Sequence, residues 1–183
     1  LTNPKLNDHT LADLLQRTPP RSLILIEDID AFFHARDKQD ARIEVSFSGL
    51  LNALDGVAAQ EGRIVVLTTN HRERLDAALA NGLRLIQVRD KDLPEAERLE
   101  LAREIVRRAR PFGARVLVNG PVPLADAAGA DGVHLDSGAL LKCDTRPDCA
   151  WVGASCHNAG ELAKAGQLAD FALLSPVLPT ASH

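Results

Sequence analysis

The chain has 183 residues, of which 45% are hydrophobic and 25% charged, and its formal net charge is −4. This composition is typical of a globular protein with one domain or two small ones, and it disfavours a disordered chain. The negative charge gives nucleic acid no electrostatic reason to bind, and no apolar run reaches the roughly 18–20 residues of a membrane span.

The first part of the chain alternates between apolar strands and helices. Strands are predicted at residues 22–26 and 63–67, because each is a short run rich in Ile, Val and Leu. Between them a helix is predicted from Ser46 to Gly56, with Ser46 as its N-cap and Gly56 as its stop. A second helix is predicted over residues 72–80.

The second part continues the alternation. The clearest helix is predicted over residues 94–110, since Pro94 suits its first turn, arginines lie near its C-terminus and Gly113 follows. Strands alternating with helices predict the α/β class with a mostly parallel sheet, in which ligands bind at the carboxyl ends of strands. The remaining strands are predicted at residues 83–88, 115–118, 132–135, 151–153 and 170–174.

Polar residues follow two of the predicted strands. The strand at residues 22–26 leads directly into Glu27, Asp28 and Asp30, which could orient a hydrated Mg²⁺ and polarise an attacking water. The strand at residues 63–67 is followed by Thr68, Thr69 and Asn70, which could hold a water near a γ-phosphate. Acids that only mark the solvated end of a strand explain the first pattern equally well.

With SFSGLLNALDGV at residues 46–57 between these two clusters, residues 1–79 resemble the AAA ATPases of the mitochondrial complex III assembly chaperone type. That family moves a folded iron–sulfur protein across a membrane. The resemblance implies that Glu27 and Asp28 stand at the Walker B positions, where they share metal positioning and water activation. It also implies that Asn70 orients the water. No Gly-x-x-x-x-Gly-Lys-Ser/Thr precedes the acidic strand, so we expect ATP binding to be weak or absent.

A basic strand end is the second candidate site. In LRLIQVRDK, at residues 83–91, alternation places Gln87, Arg89 and Lys91 on one face. An amide, a guanidinium and an ammonium that converge at a strand end suit a pyrophosphate. An exposed basic strand edge explains the same residues without a ligand.

Four later motifs support a second resemblance: NG at 119–120, ADGVHL at 130–135, GASCH at 153–157 and SPVLPT at 175–180. Residues 75–183 resemble thiamine phosphate synthase, nearest the synthase-like domain fused behind MutT-type Nudix hydrolases. The resemblance covers barrel strands two to six. It implies a partial TIM barrel and a Mg²⁺-dependent reaction that displaces pyrophosphate from a pyrimidine diphosphate and joins the pyrimidine to a thiazole phosphate.

The same resemblance assigns roles to individual residues. It implies that Gln87, Arg89 and Lys91 hold the diphosphate with Asn119 beside them, and that Ser155 and Thr180 lie near the pyrimidine and phosphate groups. Two positions depart from the family pattern. Gly120 and Ala139 stand where the family has metal-binding carboxylates, so synthase activity is not expected.

Other chemically active side chains have plainer interpretations. His134, within a short predicted strand, is interpreted as a core or strand-end histidine rather than a ligand. Trp151 is interpreted as core. The three cysteines, Cys143, Cys149 and Cys156, have no paired metal-ligand spacing, so they favour a reducing compartment and we expect a cytoplasmic protein.

The sequence therefore predicts a chimera. We expect an AAA ATPase fragment at residues 1–79 and a partial TIM barrel of the synthase type at residues 80–183. The chain contains no Met and has the look of an excerpt. The leading hypothesis is that it is not catalytically competent, with a phosphate- or pyrophosphate-binding module and residual activity of either parent as alternatives. Its partner would be a nucleotide or a pyrophosphate-type small molecule, and the oligomeric state stays open.

One further expectation concerns architecture. A right-handed β-α-β crossover through the helix at residues 72–80 would place the strand at 63–67 beside the strand at 83–88. All seven strands would then form one continuous sheet. Thr68, Thr69 and Asn70 would share an edge with Gln87 and Arg89.

Overall fold

A computed structural model of the chain describes residues 6–19, 23–26, 43–46, 48–50, 52–53, 64–71 and 75–175. Glu27, Asp28, Gly56 and Thr180 lie outside this part. The chain divides into two compact units, Leu1–Gly82 and Leu83–His183. Within the described residues, no helix is long and apolar enough to cross a membrane.

The N-terminal unit contains two small parallel sheets. Strand β1 pairs with β3, and β2 pairs with β4 in the register Leu23 to Ile64 through Ile26 to Leu67. Its elements are β1 (Leu6–Asn7), α1 (Asp8–Gln16), β2 (Leu23–Ile26), β3 (Ile43–Glu44), β4 (Ile64–Leu67) and α2 (Leu75–Ala80).

Helix α1 packs on a helical segment at residues 48–50 and 52–53. Leu11 and Leu15 of α1 are buried in one cluster with Val45, Leu50 and Ala53. The predicted N-cap is confirmed, because the Ser46 hydroxyl oxygen accepts from the Gly49 backbone N–H at 2.8 Å. Asp8 accepts in turn from the Ser46 backbone N–H and hydroxyl, at 2.6 and 2.8 Å.

The C-terminal unit is one parallel sheet of five strands in the order β5-β6-β7-β8-β9, with a helix after each of the first four. This confirms the predicted α/β class. The elements are β5 (Leu85–Val88), α3 (Glu95–Ala109), a 3₁₀ turn (Arg110–Phe112), β6 (Arg115–Val118), α4 (Val122–Ala128), β7 (Gly132–Leu135), α5 (Ser137–Lys142), β8 (Trp151–Cys156), α6 (Ala159–Leu168) and β9 (Phe171–Leu174).

Helix α3 forms where the sequence predicts it. Pro94 is its N-cap, and Gly113, with φ of 65°, takes the left-handed conformation that ends the following turn. The buried side chains of α3 are Leu101, Ala102, Ile105, Val106 and Ala109.

Two aspartates tie the loops before the strands to the sheet. The Asp131 carboxylate accepts from the Val116 backbone N–H at 2.8 Å, and the Asp170 carboxylate accepts from the Val152 backbone N–H at 2.8 Å. Arg146 adds an ion pair to Asp170 at 2.9 Å. These contacts fix the amino ends of the strands, opposite the edge where ligands bind in such sheets.

The expectation of one seven-stranded sheet is wrong. In the described residues β4 forms its ladder with β2, and β5 forms its ladder with β6. The handedness rule for β-α-β crossovers applies only when both strands belong to the same sheet. The local sequence does not specify whether two successive strands pair in one sheet. The expected edge joining Thr68, Thr69 and Asn70 to Gln87 and Arg89 therefore loses its basis.

Candidate functional site

The candidate site is at the carboxyl ends of β5 to β8. Partners in the sheet register face the same side, and Gln87 pairs with Leu117 while His134 pairs with Gly153. Because side chains alternate along β8, Ser155 lies on the same face as Gly153. Asn119 directly follows β6, where its backbone N–H donates to the Val88 carbonyl oxygen at 2.9 Å.

Two hydrogen bonds link Asn119, His134 and Ser155 at this edge of the sheet. The Asn119 side-chain amide donates to the His134 carbonyl oxygen at 3.0 Å, and His134 Nε2 lies 2.8 Å from the Ser155 hydroxyl oxygen. The imidazole ring lies against Phe171, with ring centroids 6.0 Å apart. Gly153 leaves the space for the ring, since a Cβ there would lie 2.6 Å from His134 Nδ1. His134 is therefore a buried, satisfied histidine, as predicted, and it also holds Ser155.

A cavity of about 330 Å³ opens beside Asn119 and His134. Across it Lys91 Nζ lies 3.1 Å from an Asp136 carboxylate oxygen, and both side chains are about half exposed. The other Asp136 oxygen accepts from the Ala139 backbone N–H at 2.9 Å. The lining residues are Lys91, Arg98, Asn119, Gly120, His134, Asp136 and Ala139.

The charges at the cavity favour an anion. Burial and the positive charge of Arg89 lower the pKa of His134 from 6.5 to about 4, against the opposing effect of Asp136, so the imidazole is neutral at physiological pH. The Ala139 N–H and Lys91 hold the pKa of Asp136 below its usual 3.8. Among the described lining residues, two are cations, Lys91 and Arg98, and one is a carboxylate, Asp136. The positive charge of Arg89 adds to that of the two cations.

The structure brings together part of the predicted site. Lys91 and Asn119 line the cavity, and Ser155, which is not among the lining residues, lies within hydrogen-bond distance of His134. Gln87 and Arg89 are exposed at the end of β5, and the strand ends at Val88, so strand alternation does not extend to Lys91. Asn70 follows β4 in the N-terminal unit and is exposed.

Sequence reasoning did not select Arg98 or Asp136. Arg98 lies in the first turn of α3, which follows β5, and Asp136 is the N-cap of α5, which follows β7. That position was the available signal, because such turns surround the ligand edge of a parallel sheet.

The described residues offer few metal ligands at the cavity. They contain no group of three or more His, Cys, Asp or Glu side chains placed to hold a metal ion. Asp136 is the one carboxylate lining the cavity, and its oxygens already bond Lys91 and Ala139. At Gly120 an added Cβ would lie 3.1 Å from the Leu124 side chain, so a larger residue there would require Leu124 to shift by a few tenths of an ångström.

Comparison with known proteins decides the family. Residues 59–183 match the family model described as thiamine monophosphate synthase. The chain belongs to this family. It is 46% identical over 112 residues to a putative thiamine-phosphate synthase of Geobacter sulfurreducens, a match that covers 59% of this chain and 53% of the relative. A thiamine-phosphate synthase of Thiobacillus denitrificans is 40% identical over 117 residues, covering 59% of this chain and 56% of that relative.

The structure supports the same fold. A thiamine phosphate pyrophosphorylase from Pyrococcus furiosus superposes with a TM-score of 0.50 at 23% identity, covering 87% of this chain and 62% of that one. The C-terminal unit is thus half of a TIM-barrel-like sheet. The chain spans about half the length of the curated synthases that it matches.

The other end of the chain is similar to a different family. Residues 4–91 match the model of ATPases associated with various cellular activities, so residues 59–91 are matched by both models. The mitochondrial chaperone BCS1 of Homo sapiens is 51% identical over 86 residues, which are 43% of this chain and 20% of the chaperone. The chain is therefore a chimera of an AAA-related and a synthase-related segment, as the sequence predicts.

Proposed function

We propose that the C-terminal unit binds a diphosphate-type anion at the cavity between β5 and β8 and does not turn it over. In this proposal Lys91 and Asn119 contact the anion, while Arg89 and Gln87 approach it from the end of β5. Ser155, oriented by His134, faces an organic group attached to the diphosphate, with Thr180 as a second contact. The chain is then a binding module that keeps the recognition half of a synthase site.

The observation that carries the proposal is the cavity with its surplus of positive charge. Two cationic side chains and one carboxylate line it, and a third cation is near enough to lower the pKa of His134. Charge-assisted hydrogen bonds from lysine and arginine to phosphate oxygens are among the stronger interactions that proteins use. The ion pair between Lys91 and Asp136 would exchange for a contact to the anion.

The absence of turnover follows from the carboxylates. A magnesium ion that stabilises a leaving pyrophosphate needs oxygen ligands from the protein as well as from the phosphates. Among the described residues Asp136 is the one carboxylate that lines the cavity, one of its oxygens accepts from the Ala139 N–H, and Gly120 and Ala139 supply no carboxylate. Mg²⁺ would then arrive with the anion rather than be held by the protein.

We assign the two proposed domains to residues 1–79 and 80–183. The N-terminal segment keeps the AAA-type positions Glu27, Asp28 and Asn70, and the sequence of 183 residues has no Gly-rich phosphate loop before them. We therefore propose that it does not bind ATP tightly by itself. We also propose that the C-terminal unit is most similar to the synthase-like domains fused to Nudix hydrolases. We propose a cytoplasmic location for the protein, with which the three free thiols are consistent.

Calorimetry with inorganic pyrophosphate on the full chain tests the function, with and without Mg²⁺. We expect Arg89→Ala and Lys91→Ala each to weaken binding about tenfold or more, because each removes a charge-assisted contact. Arg84→Ala is the matched control, since Arg84 lies before β5 at the opposite strand end and bonds the Leu83 carbonyl.

One substitution separates a phosphate site from a metal site. Asp136→Asn should tighten pyrophosphate binding severalfold without Mg²⁺, because it removes the carboxylate that competes for Lys91. Wild-type binding weaker than millimolar would contradict the proposed function. Thiamine phosphate formation above background, lost in Arg89→Ala, would contradict the absence of turnover.

A further inference from the structure

One side chain of the cavity wall has a buried donor that the fold does not use. Arg98 lies in the first turns of α3, where its backbone N–H donates to the Pro94 carbonyl at 2.9 Å. Its side chain is half-buried and lines the cavity beside Lys91 and Asn119. Among the described residues, Arg98 Nε is buried and has no hydrogen-bond partner.

Other arginines of the same helix behave differently. Arg103 forms an ion pair with Glu100 at 2.7 Å, and Arg108 forms one with Glu104 at 3.4 Å. Within the part of the chain that the structure describes, no such ion pair involves Arg98, although α3 carries acidic residues in its first turn. A guanidinium keeps its charge at any physiological pH, and a buried N–H without an acceptor is costly, so such a group normally has a partner.

We infer that Arg98 is a further anion contact of this site, and that its Nε–H donates to a phosphate oxygen of the ligand. The inference rests on the proposed function and deepens it. Arg98 Nε is closed to solvent without the anion, so the side chain would turn toward the cavity to bring this unpaired donor to an acceptor there. With Lys91 in the same lining and Arg89 nearby, Arg98 makes three cations against Asp136.

This charge balance specifies the class of ligand. A diphosphate has enough negative charge and enough oxygens to contact several cations at once, whereas a monophosphate has fewer of both. The site should therefore prefer inorganic pyrophosphate, and organic diphosphates that share its chemistry, over inorganic phosphate. Arg98 should account for part of that preference.

The test compares three variants of the full chain by calorimetry with inorganic pyrophosphate and with inorganic phosphate. Arg98→Ala should weaken pyrophosphate binding about tenfold or more and reduce the preference over phosphate. Arg98→Lys should restore part of the affinity, since lysine keeps the charge but has no Nε–H at that position. Arg107→Ala is the matched control, because Arg107 is an exposed arginine of the same helix and should change the affinity less than twofold.

A spectroscopic readout reports on Arg98 without the loss of the side chain. The Arg98 Nε–H resonance, assigned from its absence in Arg98→Lys, should shift when pyrophosphate is added to the wild-type chain. If Arg98→Ala does not fold, this shift and the Arg98→Lys affinity decide the question.

Two failures are distinguishable. If wild-type chain binds pyrophosphate and Arg89→Ala weakens it while Arg98→Ala behaves like Arg107→Ala, the role of Arg98 is wrong and the proposed function stands. If the wild-type chain binds no pyrophosphate, both are wrong.

Discussion

Mild acidification should destabilise the C-terminal unit through His134. The side chain is 1% exposed, and its pKa is lowered from 6.5 to about 4 by burial and by the charge of Arg89. As the pH falls through 6.5, the unfolded chain takes up a proton at this position, while the folded chain does so only near pH 4. Since the unfolded state then binds more protons, the free energy of unfolding decreases as the pH falls between these values.

The size of the effect follows from the two pKa values. One pKa unit corresponds to about 1.4 kcal/mol, so a change from 6.5 to about 4 amounts to about 3 kcal/mol at full effect. Between pH 7 and pH 4.5 the expected loss is about 2 kcal/mol. The lowered pKa values of Asp136, Asp170 and Glu161 contribute stability that is lost mostly as the pH falls below their ordinary values of 3.8, 3.8 and 4.5. At pH 4.5 only a small part of that stability is lost, so the histidine dominates the loss above that pH.

Urea unfolding at several pH values between 7 and 4.5 measures the loss. Trp151, the single tryptophan, lies in β8 and reports on this unit by fluorescence. His134→Gln replaces the imidazole with a side chain that does not titrate and whose amide can still reach Ser155. This variant should lose the pH dependence in that window, whereas His157→Gln, at an exposed histidine, should retain it. Equal pH dependence in wild type and His134→Gln would refute the reasoning.

Two further predictions concern the packing of Gly153 against His134 and the hydrogen bonds of Asp131 and Asp170 to the backbone of β6 and β8. Gly153→Ala places a Cβ 2.6 Å from the buried imidazole and should destabilise the C-terminal unit by about 1–3 kcal/mol. Gly166→Ala, in an exposed helical position with nothing within 4 Å, should stabilise it by up to about 1 kcal/mol, and equal effects in urea unfolding would contradict this contrast. Asp131→Ala and Asp170→Ala should each cost about 1–2 kcal/mol, because each leaves a strand N–H without its acceptor. Asp148→Ala, at an exposed loop position, should change the same unfolding free energy by less than about 0.5 kcal/mol, and a comparable loss there would show that the two carboxylates have no special role.

Local signals allowed the elements to be predicted. Helix α3 is specified by Pro94, by its charged ends and by Gly113, all of which lie within one stretch of sequence. Strand β8 extends to Cys156, beyond the predicted end at residue 153, because pairing with β9 continues through Ser155 and Cys156. The partner of a strand depends on the whole sheet, so the pairing of β4 with β2 could not be read from the helix that follows β4.

The candidate site shows the same division. The basic residues after β5 and the amide after β6 are visible in the sequence because they follow strands. The hydrogen bonds of His134 with Asn119 and Ser155 depend on the register of β6, β7 and β8. That register is set by contacts between residues that are distant in the sequence. The prediction that Trp151 is a core residue is wrong, because Trp151 is only partly buried and its ring centroid lies 4.1 Å from the Arg115 guanidinium carbon. Burial at the first residue of a strand depends on what covers that end.

A crystal structure of the full chain grown with inorganic pyrophosphate tests the central claim most directly. We expect two phosphorus positions in the cavity above His134, with phosphate oxygens within hydrogen-bond distance of Lys91, Asn119 and Arg98 Nε. We also expect that the ion pair between Lys91 and Asp136, 3.1 Å long without the anion, is broken or lengthened. A cavity that holds no anion while this ion pair stays intact, or pyrophosphate bound elsewhere on the chain, would contradict the account.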